Sequence, residues 1–387
     1  MLTLLLATAA ALAQPVPPQE PPSIQLVPPA GAPSPDTQPV PPNIESSESR
    51  PRRLQIGTSG LFQPGALVQA WFVDDSANGA STLSTFRIRR GEIWSRGEIL
   101  PGLVSYVLMG DLAKIREPAA TKLTTSDGST VSVVQPTTAL GPLQDAYITV
   151  ATDYADVAVG QFKIPVSWEG YNPSSRTLFP ERAPVSKQFG DIRDLGVRVA
   201  KTFEHVAYLA TIVDGAGPDT FDTSPQKDAA LRVEVYPVPG ALIGGVVYRS
   251  IGYRLRPGTK DRYEGDLRVE RGPYLVQSEV IDARDVGATG KPVPAFGFYA
   301  AAAYSFTVAG ARGKFQPCAR VGYLDPNTSI DLNPATSGGV DELWHWDLGL
   351  NYLVVGNELK YQVSYERQAF QNKPSGNEVI VAAQVWF

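Results

Sequence analysis

Residues 378–387 read Glu-Val-Ile-Val-Ala-Ala-Gln-Val-Trp-Phe, and this segment decides the fold class of the chain. One face of the segment is wholly apolar and carries Val379, Val381, Ala383, Val385 and Phe387. The other face is mixed and carries Glu378, Ile380, Ala382, Gln384 and Trp386. This period-two alternation has the length and pattern of a strand that crosses a membrane at a tilt. Because the last strand of a soluble sandwich can alternate too, the hypothesis requires many more such strands.

Strand-like segments recur along the chain from about residue 54 onward. Several alternate clearly, as where Leu231, Val233 and Val235 oppose Arg232 and Glu234. We predict sixteen strands, near 65–74, 83–95, 103–112, 143–151, 156–164, 194–202, 205–213, 229–236, 241–251, 262–271, 273–282, 295–307, 315–324, 343–353, 357–367 and 378–387. The 35 glycines and 34 prolines suit many turns between short strands better than long helices.

The lengths of the predicted connections alternate with strand number. Connections after even-numbered strands are short, at 97–102, 152–155, 237–240, 272 and 354–356. Those after odd-numbered strands are mostly long, at 113–142, 165–193, 214–228 and 325–342. A soluble sandwich gives no reason for this alternation, whereas a single-chain membrane barrel has short periplasmic turns and long outer loops. We therefore predict an all-β fold, a transmembrane antiparallel β-barrel with 16 strands.

The first 53 residues differ in composition from the rest of the chain. Residues 1–13 are apolar and end in small residues, which is typical of a secretory signal peptide, although its usual basic start is missing. Residues 14–53 are rich in Pro and polar residues, and we predict a disordered linker because such a segment buries too little apolar surface to offset its ordering entropy. Residues 54–387 form the predicted barrel domain.

The composition argues against several classes of function. The net charge of −5 is only mildly acidic and predicts no nucleic-acid partner. The histidines are His205 and His345; His345 lies two residues from Asp347 on one strand face, but no nucleophile motif accompanies the pair. Together with the single cysteine, Cys318, they supply no transition-metal cluster. We predict no enzyme, no catalytic residue, no metal site and no cofactor.

Several short motifs, in order, resemble the phosphate-selective porin O and P family. Residues 86–91 read Phe-Arg-Ile-Arg-Arg-Gly, similar to an arginine-rich second strand, and residues 159–165 read Val-Gly-Gln-Phe-Lys-Ile-Pro, similar to the end of a fifth strand. Pro-Glu-Arg at 180–182 and Arg-Asp-Leu-Gly-Val at 193–197 resemble the approach to strand six. Two further segments resemble late strands of the family: Phe-Gly-Phe-Tyr at 296–299 and Ala-Arg-Val-Gly-Tyr-Leu-Asp-Pro at 319–326. The closing strand, which ends in an aromatic residue, resembles that of bacterial outer-membrane barrels.

The resemblance implies a sixteen-stranded, homotrimeric channel in the bacterial outer membrane. Its partners would be the surrounding outer-membrane lipid and small hydrophilic solutes that diffuse passively, with phosphate and other anions favoured. The third loop, here 165–193, would fold inward and form the constriction, with Arg176, Arg182 and Lys187 as its basic residues.

Alternation places basic side chains on the predicted lumen faces of the strands. These residues are Arg87, Arg89, Lys163, Arg198, Arg232, Arg268, Arg320 and Lys360. An arginine suits phosphate because its planar fork can bind two oxygens while it stays charged. Arg90 breaks the alternation beside Gly91, which predicts a bulge or an interfacial position.

The same faces also carry acids, so a second interpretation stays open. These acids are Asp111, Asp145, Asp194, Glu234, Glu264, Asp266, Asp347 and Glu366. Since the two signs roughly balance, the bases could pair with the acids and brace the wall instead of forming an anion path. A β-rich outer-membrane adhesin or binding protein without a conducting pore is the alternative function.

Overall fold

The computed structural model describes residues 54–56, 60–77, 80–115, 119–124, 130–135, 142–252, 258–286, 290–329, 342–371 and 375–387. The predicted signal peptide at 1–13 and the predicted linker at 14–53 lie outside these residues, so both remain predictions. No helix in the described ranges is long and apolar enough to cross a bilayer, a finding that has no bearing on a β-barrel.

Sixteen antiparallel strands form the wall of a closed barrel, as predicted. Their bounds are β1 Gly60–Ala77, β2 Ala80–Leu100, β3 Val104–Asp111, β4 Leu143–Ala151, β5 Asp156–Lys163, β6 Arg193–Thr202, β7 Val206–Val213, β8 Lys227–Val235, β9 Ala241–Ile251, β10 Asp261–Arg271, β11 Tyr274–Val286, β12 Pro292–Tyr304, β13 Lys314–Asp325, β14 Leu343–Val355, β15 Leu359–Phe370 and β16 Gly376–Trp386. Each strand pairs with its neighbours in sequence, so every predicted strand is present with small changes in its bounds.

The barrel closes where β16 pairs with β1. Leu67 lies opposite Trp386 and Ala77 opposite Gly376. Closure matters in a membrane because every strand then satisfies its backbone groups on both sides and leaves no open edge to the lipid. Two short pieces add to the wall: Leu54–Ile56 pairs with the start of β1, and Phe306–Thr307 prolongs the β12–β13 pairing. Ala119–Thr124 and Thr130–Gln135 pair with each other in a separate two-stranded sheet.

The two faces of the strands are divided as the alternation predicts. On β16, Val381 and Val385 are exposed on the outer face, while Ile380 and Gln384 are buried on the inner face. On β14 the outer face carries exposed Trp346 and Leu348. An outer surface built of apolar side chains suits contact with lipid, since the cost of leaving such a surface in water is large.

The connections also follow the predicted alternation at most positions. The turns after even-numbered strands are short, and the tightest joins β10 to β11 through Gly272, whose φ of 60° favours glycine. After odd-numbered strands, the connections at 112–142, 164–192, 214–226 and 326–342 are long, whereas those at 78–79, 252–260, 287–291 and 371–375 are shorter than an outer loop is expected to be, so the alternation fails at these four positions. We call the two ends of the barrel the loop end and the turn end.

Candidate functional site: the loop inside the barrel

The connection between β5 and β6, residues 164–192, lies inside the barrel and is called the inner loop below. It contains α1 (Trp168–Tyr171), a 3-10 turn (Ser174–Arg176) and α2 (Pro184–Phe189). Its two ends meet where the amide of Ile164 donates to the carbonyl of Ile192 at 2.9 Å. The loop folds inward, as the family resemblance implies, and its main-chain groups contact side chains on the inner faces of the wall strands.

Two wall carboxylates hold the first turn of the inner loop. Glu264 on β10 accepts hydrogen bonds from the amides of Ser167 at 2.6 Å and Trp168 at 2.7 Å. Glu279 on β11 accepts one from the amide of Glu169 at 3.1 Å. The first amides of a helix have no partner within the helix, so carboxylates on the wall satisfy them. Both acids are buried, which makes these bonds structurally important.

A single guanidinium on β8 faces three carboxylates, one on its own strand and two on β10. Arg232 binds Glu234 at 2.6 Å, Asp266 at 2.8 Å and Glu264 at 3.4 Å. Only 2% of Arg232 is exposed, and its three partners are buried too. This cluster supports the interpretation that the lumen bases pair with acids, because Arg232 is enclosed by carboxylates and is not in contact with solvent.

Arg320 connects the opposite wall to the inner loop. Its Nε lies 2.5 Å from Asp347, and its Nη1 donates to the carbonyl of Glu181 at 3.1 Å. The guanidinium carbon also lies 4.5 Å from the centre of the Phe179 ring. Arg320 is buried, so it braces the loop against β13 and β14 instead of facing an open channel.

Within the described residues, His345, Asp347 and Glu366 form a buried group whose ligand atoms lie within 4.8 Å of one another. Asp347 already binds Arg320, and it lies 3.0 Å from Nδ1 of His345. The other nitrogen of His345 lies against Gly322, where an added Cβ would come within 2.1 Å of it. These contacts describe an ion-pair network. Sequence reasoning missed it because Glu366 meets Asp347 only through the register of β14 and β15.

The arginine-rich second strand contains a β-bulge, as the break at Arg90 predicts. Arg90 lies opposite Gln69 but Ile88 lies opposite Ala70, so Arg89 is the extra residue. The bulge lets consecutive arginines both reach the interior. Arg90, which we did not assign to the lumen from sequence, is buried there and donates to Oε1 of Gln69 at 2.7 Å.

Three bases from β2 and the inner loop surround the carboxylate of Glu181. Arg89 lies 3.1 Å from it, Arg90 3.5 Å and Lys187 3.9 Å. Arg87 lies nearby on β2, over the Trp71 ring at 5.0 Å, and its side chain is exposed. Positive charge thus exceeds negative charge at this point of the interior.

Glu181 and Asp191 of the inner loop are held in their charged forms by neighbouring bases. Burial opposes ionisation of Glu181, but Lys187, Arg90 and Arg89 more than offset it, so the pKa of Glu181 falls well below its ordinary value of 4.5. Burial likewise opposes ionisation of Asp191, and Arg182 and Lys163 again outweigh it, which lowers the pKa of Asp191. A carboxyl with a lowered pKa stabilises the fold above its unfolded pKa, and this contribution is lost as the pH falls through the folded value.

We expect Glu181 to remain ionised while ordinary carboxyls titrate. The carboxyl carbon of Glu181, selectively labelled with ¹³C, should show no titration step by NMR between pH 7 and about pH 4, because its bases hold the pKa below the ordinary range near 4.3. A midpoint for Glu181 above pH 4.5 would contradict the charged cluster.

The other predicted loop bases bind acids or lie at the surface of the loop. Arg182 binds Asp191 at 2.7 Å, and Lys163 at the end of β5 binds the same carboxylate at 2.6 Å. Arg176 is exposed, and about half of the Lys187 side chain is exposed. Arg182 therefore fixes the loop, whereas Arg176 and Lys187 are accessible to solvent.

Three further predicted residues lie on the lumen side of the wall. Arg198 stacks over Tyr147 at 4.6 Å, and Arg268 binds Glu270 at 2.9 Å. Lys360 is 1% exposed and donates to a loop carbonyl, that of Thr177, at 3.0 Å. All eight predicted strand bases thus lie on interior faces, but most contact acids, rings or the loop. The structure does not assemble them into one continuous basic track.

Acids also form a row near the loop end of the barrel. Register places Asp347 opposite Glu366, Glu366 opposite Glu378, and Glu378 opposite Asp75, on four adjacent strands. Like charges directly opposite each other are destabilising. Lys187 and Arg87 lie close enough to Glu378 to interact with its carboxylate electrostatically. Both signs are therefore present at this level.

Sequence reasoning missed several interior bases besides Arg90. Arg262 lies on the same face of β10 as Glu264, and it donates to the carbonyl of Phe189 in the inner loop at 2.9 Å. Period-two alternation was sufficient to find it. Arg193, at the start of β6, binds Asp145 at 2.9 Å; its position at a strand end gave no comparable signal.

Comparisons with known proteins agree with this architecture. The family model "Phosphate-selective porin O and P" matches residues 68–242. The outer-membrane channel DcaP of Acinetobacter baumannii has 11% identity and a TM-score of 0.56, covering 86% of this chain and 99% of its own. An anion-selective porin from Comamonas acidovorans has 13% identity and a TM-score of 0.52, covering 85% and 100%. OmpT of Vibrio cholerae, in its trimer form, has 10% identity and a TM-score of 0.54, covering 85% and 100%.

No curated protein matches the chain. The structural likenesses show the fold, and the family model supplies the sequence relationship. The match agrees with the resemblance found in the motifs: residues 68–242 are similar to the phosphate-selective porin O and P family, and the protein is a β-barrel of the bacterial outer membrane.

Proposed function

We propose that the protein is a passive channel that favours small anions, phosphate among them, with the inner loop as its constriction and a homotrimer as its working form. Passage of small hydrophilic solutes is the general activity that the family and fold support. The trimer is proposed because one structural neighbour is described in a trimer form.

The observation that carries the anion preference is the excess of bases around Glu181. Arg89, Arg90 and Lys187 share this one carboxylate, and exposed Arg87 adds a further positive charge close by. Arginine keeps its charge at all relevant pH values and can present two donors to a phosphate. A solute anion that reaches Arg87 and Lys187 therefore meets an excess of positive charge around Glu181.

The opposing acid row limits this preference. Glu378 and Asp75 lie on adjacent strands and put negative charge at the loop end of the barrel. A unit charge contributes about 1 kcal/mol at about 4 Å in water, so each side chain shifts the local ion population only severalfold. We therefore propose a moderate anion preference and not exclusive phosphate transport.

Planar-bilayer recordings test the proposal directly. Under a potassium chloride gradient the reversal potential should have the sign of anion preference, and added inorganic phosphate should reduce the chloride current. Replacing Arg87 and Lys187 by Gln should lower the anion-to-cation permeability ratio by about twofold or more, since two charges of about 1 kcal/mol each are removed.

The matched control is Arg284→Gln, which removes a charge from an exposed side chain on β11. It should leave the permeability ratio unchanged. Conductance without anion preference would overturn the proposed selectivity and leave a general channel. Absence of conductance from folded protein would overturn the channel and favour a binding protein without a pore.

A further inference from the structure

The middle of the inner loop, residues 174–181, runs past adjacent strands whose side chains bind its main-chain carbonyls. From β1, Nε2 of Gln69 donates to the carbonyl of Ser174 at 3.2 Å. From β16, Nε2 of Gln384 donates to the carbonyl of Ser175 at 3.0 Å. Neighbouring loop residues are thus bound by neighbouring strands.

The pattern continues along the wall. On β15, Lys360 donates to the carbonyl of Thr177 at 3.0 Å, and Gln362 donates to that of Leu178 at 3.1 Å. On β14, Asn351 donates to the same Leu178 carbonyl at 2.8 Å. The order of the wall strands around the barrel therefore matches the order of the loop residues along the chain.

Arg320 on β13 completes the series at the carbonyl of Glu181. We call the six wall residues the donor row; they are Gln69, Gln384, Lys360, Gln362, Asn351 and Arg320. They lie on β1, β16, β15, β14 and β13, which are consecutive around the closed barrel. The donors thus follow one another from strand to strand around the barrel, and the loop carbonyls that they bind follow one another in the same order along the chain.

The members of the donor row are buried, and several of them also bond to one another. Each is at most 4% exposed. Nε2 of Gln69 also donates to Oε1 of Gln384 at 2.7 Å, and Nε2 of Gln362 donates to Oδ1 of Asn351 at 3.0 Å. Because a buried donor without an acceptor is costly, a loop that moved away would leave several donors unpaired at once. The row therefore favours one position of the loop.

We propose that the donor row fixes residues 174–181 against the wall and thereby sets the conductance of the channel. The row recognises main-chain carbonyls, so it positions the loop whatever side chains the loop carries. This leaves Arg176 exposed and places Glu181 among its bases. The inference deepens the proposed channel function and rests on it. The six side chains are positioning residues.

The test removes two donors at nearly constant volume. Gln362→Met with Gln384→Met should change single-channel conductance by about twofold or more and add current noise, because two of the row's bonds to the loop are lost. Hydrogen–deuterium exchange followed by mass spectrometry should rise in peptides covering 174–181. Strand peptides and the heat-modifiable gel mobility of the folded barrel should stay as in the wild type.

The matched control is Gln277→Met, a buried wall glutamine on β11 that bonds to Arg268 and Tyr299. It should leave conductance and loop exchange unchanged. Wild-type conductance and exchange in the folded double variant would overturn the donor row while leaving the channel intact. Faster exchange with unchanged conductance would overturn its control of conductance. If the folded wild-type barrel does not conduct, the proposed function is overturned instead. Hydrogen–deuterium exchange at 174–181, compared between the wild type and the double variant, would still show whether the donor row holds the loop.

Discussion

Replacing Arg232 by Met is expected to lower the free energy of unfolding by about 3–5 kcal/mol, because removal of one partner leaves buried charges uncompensated. Arg232 is 2% exposed and is shared by Glu234, Glu264 and Asp266. Met retains much of the volume, so the loss reports the charge and its hydrogen bonds instead of a cavity. Urea unfolding in lipid vesicles, followed by tryptophan fluorescence, measures the change.

Two further variants separate charge compensation from general damage to the wall. Arg232→Met combined with Asp266→Asn should recover part of the lost stability, since one of the uncompensated carboxylates is then neutral. Arg249→Gln breaks an exposed pair with Asp261 and should leave the unfolding midpoint unchanged. If Arg232→Met unfolds at the wild-type midpoint, the cluster does not stabilise the barrel.

The strands could be predicted from the sequence because each depends on local alternation. The segment at 231–235 illustrates this: Leu231, Val233 and Val235 are exposed on the outer face, and Arg232 and Glu234 are buried inside. Period-two alternation fixes the face of a residue without knowledge of its neighbours. This also explains why the predicted lumen acids, such as Asp347, lie inside the barrel.

The partners of these side chains could not be predicted in the same way. Asp347 meets Glu366 through the register of two strands, and it meets Arg320 through another. Gln384 contacts Ser175, which is 209 positions away in the sequence. Alternation says that a side chain faces the lumen but not what lies across from it. For this reason the sequence alone does not decide whether the lumen bases pair with acids or form an anion path.

The inner loop shows how the chemistry of the wall is matched to the chemistry of the main chain. On β10 and β11 the wall offers carboxylates, and the loop presents amides there. On β13 to β16 and β1 the wall offers amide, amine and guanidinium donors, and the loop presents carbonyls. A loop reversed in the barrel would place acceptors against acceptors. The wall therefore specifies both the location and the direction of the loop.

Replacing Glu264 by Ala is expected to release the start of the inner loop. The amides of Ser167 and Trp168 would both lose their acceptor, at a cost of about 1–3 kcal/mol for each buried group left unpaired. Because this end of the loop is held by only a few wall bonds, we expect higher and noisier single-channel conductance and faster hydrogen exchange at 166–171. Glu264→Gln should have a smaller effect, since its one carbonyl oxygen can still accept from one amide.

The control for this prediction is Glu270→Ala on the same strand, because Glu270 binds Arg268 and is partly exposed. It should conduct as the wild type does. Loss of Glu264 also removes one acid from Arg232, so barrel stability has to be measured in parallel; that change should be small, because Glu234 and Asp266 remain at 2.6 and 2.8 Å. A stable Glu264→Ala barrel with wild-type conductance would show that the loop is held without its acidic anchor. Altered conductance in a stable barrel would instead establish that the two wall chemistries act together, with acids at the loop's first turn and donors along its middle.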